Sequence, residues 1–238
     1  LVVACVLGES SNKTIDIPSD EEHFFKELEK RNDPEGERLK RYLKMPDLSR
    51  TIGSPINELV ERIVSLPRFS GFDIIKVPEI VRADVSFDMF NFPPDHPARS
   101  KSDTYFLDEE HILRTHTTIM WYYWLQNEKV KEQIAKHESI GSLCHGKVYR
   151  KDEIDRQHMN VFHQMDGWYL CPKSKKIIGL DDLKEVLVEI AHAVFGRDIE
   201  YRFNVDQFPY TEPSCEMEIK IIDPSTSSGQ AKWVEVLG

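Results

Sequence analysis

One stretch of the chain, from position 147 to 167, carries side chains whose types and spacing suit the binding of a charged small molecule. Arg150 ends one predicted strand, and Phe162, Gln164 and Asp166 occupy alternate positions of the next. Because side chains alternate between the two faces of a strand, these three share one face. A guanidinium suits a phosphate or carboxylate, a carboxylate suits an amine, and a ring can stack on a base. The hairpin could therefore hold a zwitterion beside a nucleotide; the alternative is a solvated hairpin with ordinary cross-strand pairs.

The elements that must position these groups can be predicted from apolar periodicity, capping residues and turn signals. The hairpin itself combines a strand over 147–150, a polar loop over 151–160 and a strand over 161–170. The same signals predict further elements: helices over 54–66, 115–125 and 181–195, the last capped by Asp181, and strands over 72–77, 216–222 and 232–236. Strands that pair through hairpins, with helices between them, predict an α+β fold in which helices flank an antiparallel sheet.

Residues 1–50 differ in character from the rest of the chain. From 20 to 44 the sequence is dense in charge, and the run from Asn32 to Gly36 interrupts its helical spacing, which predicts two short helices. We interpret residues 1–50 as an N-terminal helical arm or appendage, which is either solvated or a contact surface for RNA or a partner subunit. The body of the fold is then residues 51–238.

Composition excludes several classes of protein. The 238 residues are 40% hydrophobic and 10% aromatic, enough to form a core, so the chain is not wholly disordered. A formal net charge of -10 is unlike that of a protein that covers nucleic acid with its whole surface, so any RNA contact must be local or supplied by a partner. No apolar run approaches the roughly 20 residues of a membrane span. The four cysteines are far apart, as expected in a reduced, cytoplasmic protein.

Six segments carry a family resemblance. The segment KVYRKDEIDRQHMNVFHQMDG at 147–167 resembles motif 2 of the class II aminoacyl-tRNA synthetases, and specifically that of the phenylalanyl-tRNA synthetase alpha-subunit family. Five others resemble the same family in the same order: NFPPDHPAR at 91–99, DTYFL at 103–107, LRTHTT at 113–118, FPYTEPS at 208–214 and KWVEVLG at 232–238. The helix and strand between 54 and 78 resemble motif 1, the dimer-interface element of the class. The resemblance covers about residues 45–238 and implies that 51–238 form a class II catalytic domain.

The resemblance implies a nucleotide side of the site. Arg150 would hold the α-phosphate of ATP and the carboxylate of phenylalanine, which is the electrostatic core of amino-acid activation. His158 would reach the β- and γ-phosphates, and Asp152 and Phe162 would contact adenine. Glu212 would help to bind Mg²⁺ together with the phosphates.

The resemblance also implies an amino-acid side. Gln164 and Asp166 would hold the α-amino group, although many relatives carry Glu where Asp166 stands. The remaining residues would line the pocket for the amino acid: Phe106, His116, Thr118, Phe208 and Tyr210. Serine is commoner in the family at the position of Thr118, and Phe at that of Tyr210, whose hydroxyl leaves the choice between phenylalanine and tyrosine open.

The implied function is that of an ATP-dependent phenylalanine–tRNA ligase of the alpha type. It would use ATP and Mg²⁺, act on phenylalanine and tRNA(Phe) in the cytoplasm, and assemble with a larger beta subunit as a heterotetramer. Two alternatives stay open: an organellar-type single-chain enzyme, and a non-catalytic paralogue that binds an amino acid or tRNA. The family pattern continues beyond Gly238 into motif 3, a Gly-rich strand and helix with an arginine for the γ-phosphate. That motif is missing here, so we expect a C-terminally incomplete catalytic domain.

Overall fold

The computed structural model describes residues 12–155, 158–206, 210–222 and 231–238. In these ranges the helices are α1 Glu21–Glu29, α2 Pro34–Leu43, α3 Pro55–Val64, α4 Ala83–Phe87, α5 Met120–Trp124, α6 Glu128–Ala135 and α7 Leu180–Phe195. The strands are β1 Thr14–Asp16, β2 Asp73–Lys76, β3 Ile80–Arg82, β4 His111–Leu113, β5 Ile140–Tyr149, β6 Val161–Leu170, β7 Tyr201–Asp206, β8 Ser214–Ile222 and β9 Ala231–Leu237. No helix within the described part of the chain is both long and apolar enough to cross a membrane.

The strands form a four-stranded sheet in the order β1-β2-β5-β6, a three-stranded sheet in the order β7-β8-β9, and the pair β3-β4. The predicted α+β class with helices flanking sheets is confirmed. One detail differs from the expected antiparallel pattern, because β2 pairs in parallel with both β1 and β5. Parallel neighbours need long crossover connections, and the arm helices and α3 supply the one between β1 and β2.

Local sequence signals account for most helix starts. The hydroxyl of Ser54 accepts the N–H of Asn57 at 3.0 Å, and Pro55 occupies the first helical position. In the arm, the carboxylate of Asp33 accepts the N–H of Gly36 at 2.9 Å at the start of α2. The two predicted arm helices and the helix that follows Ser54 are therefore confirmed.

Three predicted boundaries were wrong. The helix predicted from residue 115 begins only at Met120, and in the segment before it the N–H of Thr117 bonds to Gln164 of the hairpin. Strand β5 begins at Ile140, seven positions before the predicted start, and every residue in it is buried, so it lacks the alternation that marks a half-exposed strand. At the start of α7, Asp182 rather than Asp181 serves the helix end, accepting the N–H of Gly179 at 2.9 Å.

The arm helices pack into the body. A hydrophobic cluster joins four arm residues to four residues of the body: Leu28, Leu39, Tyr42 and Leu43 with Ile80, Tyr105, Leu113 and Tyr149. The arm is thus continuous with a core of the fold, while the domain boundary at residue 50 stays a prediction.

A buried lysine anchors the end of the arm. The ammonium of Lys147, on strand β5, donates to the carbonyl of Leu43 at 3.1 Å and to that of Met45 at 2.6 Å. It also lies 3.1 Å from the carboxylate of Glu79, which in turn accepts the hydroxyl of Tyr149 at 2.5 Å. The Lys147 side chain is only 3% exposed, so its charge depends on these partners for compensation.

We predict that Lys147→Met destabilises the fold. The variant leaves the Glu79 carboxylate and the carbonyls at the end of α2 without their cation. We expect the free energy of unfolding to fall by about 3 kcal/mol, the low end of the range for breaking a buried pair, because Glu79 keeps some solvent contact. Urea unfolding followed by circular dichroism measures the change.

The matched control is Lys176→Met, which removes an exposed lysine paired with Asp182 and should leave the midpoint nearly unchanged. The double variant Lys147→Met/Glu79→Gln should recover part of the loss, since it removes both charges. Equal midpoints for wild type and Lys147→Met would contradict the assignment.

Candidate active site

Both faces of the β5–β6 hairpin contact other segments of the chain. Its strands pair in register along ten residues each, and Phe162, Gln164 and Asp166 stand opposite Val148, Gly146 and Cys144. This face is the one predicted to carry chemistry. The opposite face presents side chains such as Lys147 and His163 to the segment that follows α2: the imidazole of His163 accepts the N–H of Leu48 at 2.9 Å.

A short loop, residues 115–118, lies against the chemical face of the hairpin. Each of three hairpin side chains bonds to it: Arg150 Nε donates to the carbonyl of Thr115 at 3.1 Å, Gln164 Oε1 accepts the N–H of Thr117 at 2.9 Å, and Asp166 Oδ2 accepts the hydroxyl of Thr118 at 2.5 Å. The guanidinium of Arg150 and the polar groups of β6 therefore converge on the same loop.

Arg114, the residue directly before this loop, anchors the start of the loop to the backbone of the neighbouring segments. The residue is 2% exposed, and its side chain donates to the carbonyls of Lys147 at 2.7 Å and Val77 at 2.5 Å. The guanidinium passes directly over Gly146, where any β-carbon would clash with Nη2. Arg114 belongs to one of the family segments, but the sequence predicted no role for it, because no local pattern marks its long-range contacts.

Burial shifts the pKa values of two titratable groups in the site in the direction that favours their neutral forms. Burial raises the pKa of the Asp166 carboxyl, while the Thr118 hydroxyl acts to lower it. Burial also lowers the pKa of His116 to about 4, helped by the nearby Arg150 charge, so this imidazole is neutral at pH 7. A cationic amine next to Asp166 would favour the ionised carboxylate and gain from the low local polarity.

Aromatic rings crowd the space beside His116. The ring of Phe90 lies edge-on to His116 at 4.7 Å and to Tyr210 at 5.0 Å between centroids. Trp121 lies 5.5 Å from Phe90 and stacks on Trp168 at 5.6 Å. Phe90, Trp121 and Trp168 were not assigned to the site from the sequence. Only Trp168 had a local signal, because it continues the alternation of Gln164 and Asp166 along β6.

The remaining predicted residues are spread around this centre. Phe162 is half-buried and lies 5.2 Å below the guanidinium of Arg150. Asp152 lines a cavity of about 520 Å³ between α2 and the 151–160 loop. His158 lies in that loop, exposed, with Nδ1 2.9 Å from the carboxylate of Asp155.

Two predicted residues, Phe106 and Glu212, are not joined to the centre by the described contacts. Phe106 lines a separate cavity of about 410 Å³ between the arm and the body, with Arg31 and Lys101. Glu212 is exposed in the turn before β8. Phe208 lies outside the described residues. The roles of all the predicted residues stay predictions.

This chain matches a known protein family and a solved structure. A family model described as the class II core domain (F) of tRNA synthetases matches residues 42–238. The chain therefore belongs to the class II tRNA synthetase core-domain family. Among solved structures, a pyrrolysyl-tRNA synthetase from Desulfitobacterium hafniense is 20% identical, with a TM-score of 0.51 over 80% of this chain and 62% of that chain. That likeness supports the fold.

Curated relatives are closer in sequence. The chain is 34% identical to the phenylalanine–tRNA ligase alpha subunit of Malacoplasma penetrans, over 78% of this chain and 53% of that protein. It is 32% identical to the protein of the same name from Aquifex aeolicus, over 98% of this chain and 65% of that protein. The chain thus spans between about half and two thirds of the length of these relatives.

The close approach of Arg114 predicts that Gly146→Ala destabilises the protein. The added methyl group must displace the guanidinium from its carbonyl partners, and overpacking of this kind costs about 1–3 kcal/mol. Thermal unfolding measures the loss. Gly179→Ala is the control, because a β-carbon there has no heavy atom within 4 Å beyond its chain neighbours. If both variants unfold at the same temperature as the wild type, the described packing over Gly146 is wrong.

Proposed function

We propose that this chain is the catalytic module of an alpha-type phenylalanine–tRNA ligase. The observation that carries the proposal is the convergence of Arg150, Gln164 and Asp166 on one loop. This arrangement sets an anion-binding guanidinium at one end of the loop and, at the other, a carboxyl that burial leaves in need of a cation. The names and identities of the curated relatives support phenylalanine as the substrate.

The reaction would proceed in two steps. The carboxylate of phenylalanine attacks the α-phosphorus of ATP and pyrophosphate leaves, which forms the mixed anhydride. The 3′-terminal hydroxyl of tRNA(Phe) then attacks the activated carbonyl, and AMP leaves. In the first step the protein acts by orientation and by charge stabilisation, without a covalent bond to a side chain. The hydrogen bond from Arg150 to Thr115 supports this role, because it would hold the guanidinium in one orientation when the anions bind.

The described residues fit a Mg²⁺ ion that would take most of its ligands from the bound nucleotide and from water. Among the described residues no group of three His, Cys, Asp or Glu side chains is arranged to hold a metal ion. A single exposed carboxylate, that of Glu212, can add one ligand to an ion that takes most of its oxygens from phosphates and water. When bound, the ion would neutralise charge on the leaving pyrophosphate. A beta-subunit partner, tRNA(Phe) and a cytoplasmic location belong to the same proposal, because they accompany the alpha-subunit type.

We predict phenylalanine-dependent exchange of pyrophosphate into ATP by the full-length protein with its natural partner subunit. Arg150→Ala should lower kcat/KM for exchange by about 100-fold or more, the effect of removing a charge-stabilising donor. Arg202→Ala, which removes a surface arginine paired with Glu218 on the second sheet, should leave exchange unchanged. Parallel assays with tyrosine decide the selectivity that Tyr210 leaves open.

Exchange that survives Arg150→Ala would contradict the role assigned to this residue. No exchange by the wild type, together with retained binding of phenylalanine or tRNA, would favour the non-catalytic paralogue.

We predict that Asp166 makes phenylalanine binding depend on pH. Because its pKa is raised, the carboxyl takes up a proton at a higher pH than an ordinary Asp. As pH falls through that pKa the amine loses its counter-charge, so KM for phenylalanine should rise. Asp166→Asn should raise KM by about 10- to 100-fold at neutral pH, the scale of one hydrogen bond to a charged group.

The pH profile provides the control for this prediction. The Asn side chain is neutral at every pH, so the acid limb of the KM profile should disappear in the variant. An acid limb of the same size in wild type and Asp166→Asn would assign the titration to another group.

A further inference from the structure

The 151–160 loop, which carries Asp152 and His158, is closed at its base by one asparagine. The backbone of Asn160 accepts the N–H of Arg150 at 3.0 Å. Its side-chain amide donates to the carbonyl of Arg150 at 3.1 Å and to that of Asp152 at 2.8 Å. Asn160 therefore fixes the backbone on both sides of Lys151, at the point where the chain leaves the anion-binding arginine.

A tyrosine from the arm orients that amide. The hydroxyl of Tyr42, on α2, donates to Oδ1 of Asn160 at 3.0 Å. An amide whose oxygen is held by a donor must present its NH₂ group in the opposite direction, which here is toward the carbonyls of Arg150 and Asp152. The hydroxyl of Tyr42 thus selects the one amide orientation that closes the loop.

Tyr42 is itself firmly placed. Its residue is 6% exposed, and its ring meets the ring of Tyr105 edge-on at 5.3 Å. Lys147 holds the carbonyls that follow Tyr42 at the end of α2. The hydroxyl is therefore presented from a fixed point of the core.

A second arm residue holds the other end of the loop. The carboxylate of Glu35, also on α2, lies 2.6 Å from the ammonium of Lys151. The backbone N–H of Lys151 donates to the carbonyl of Asp103 at 2.9 Å. The arm helix consequently contacts both the first and the last residue of the loop.

We propose that Tyr42 is a positioning residue for the nucleotide, acting through Asn160 on the backbone of Arg150 and Asp152. The arm helix α2 is then a structural part of the ATP site. Phenylalanine is held at the opposite end of the cluster by Gln164 and Asp166 and meets Arg150 only through its carboxylate, so it depends less on this link. The inference rests on the proposed function, since it takes the groups beside the loop to bind ATP.

The test measures the binding of each ligand separately by isothermal titration calorimetry, with ATP and Mg²⁺ in one series and phenylalanine in the other. Tyr42→Phe keeps the ring and removes only the hydroxyl. We expect it to weaken ATP binding by about 2- to 10-fold, the scale of one neutral hydrogen bond, and to weaken phenylalanine binding by a smaller factor. Asn160→Ala should weaken ATP binding further, because it releases both carbonyls.

The double variant Tyr42→Phe/Asn160→Ala tests the route. If Tyr42 acts through Asn160, the double variant should bind ATP with the same affinity as Asn160→Ala alone. Tyr169→Phe is the matched control: it removes a hydroxyl at the far end of the same hairpin, opposite Gly141, and should leave both affinities at wild-type values.

Three results would overturn the inference. Unchanged ATP affinity in Tyr42→Phe removes the link, and equal weakening for ATP and phenylalanine shows a merely structural role. Additive losses in the double variant place the effect of Tyr42 elsewhere than at Asn160. These differ from the result that would overturn the proposed function, in which the wild-type protein binds neither ligand and the inference falls with it.

Discussion

The site depends on the contact between the 115–118 loop and the β5–β6 hairpin. A backbone carbonyl of the loop orients Arg150, a backbone N–H holds Gln164, and a hydroxyl meets Asp166. Helix α5 starts shortly after these groups, and the carbonyl of Thr117 accepts the N–H of Met120 at 3.0 Å. The loop therefore joins the hairpin to the first turn of α5 and arranges the polar groups of the site.

The hairpin links this centre to the N-terminal arm. One face of the two strands carries the polar groups that meet the loop, and the other holds the chain that follows α2 through Lys147 and His163. A buried ammonium in such a place is tolerated only because carbonyls and a carboxylate surround it. The arm is thus held by directional polar bonds as well as by apolar packing, which fixes its position relative to the site.

The site contains an accessible cationic group although the chain as a whole is acidic. The net charge is -10, yet the centre combines an accessible guanidinium with a carboxyl whose pKa burial raises. Under the proposed function, the carboxylate of the amino acid would meet the guanidinium and its amine would meet the carboxyl. Neutral His116, with the rings of Phe90 and Trp121 beside it, offers the apolar surroundings that an aromatic side chain prefers.

The sequence alone determined those features that depend on near neighbours in the chain. Alternation along β6 placed Gln164 and Asp166 on one face, and the capping residue Ser54 set the start of α3, because both are consequences of local backbone geometry. The tertiary structure decided the rest. Tyr42 and Asn160 are 118 positions apart, and no periodicity connects residues that meet only when separate elements pack. The buried length of β5 and the roles of Arg114 and Phe90 were hidden for the same reason: burial and long-range contacts leave no local pattern by which to recognise them.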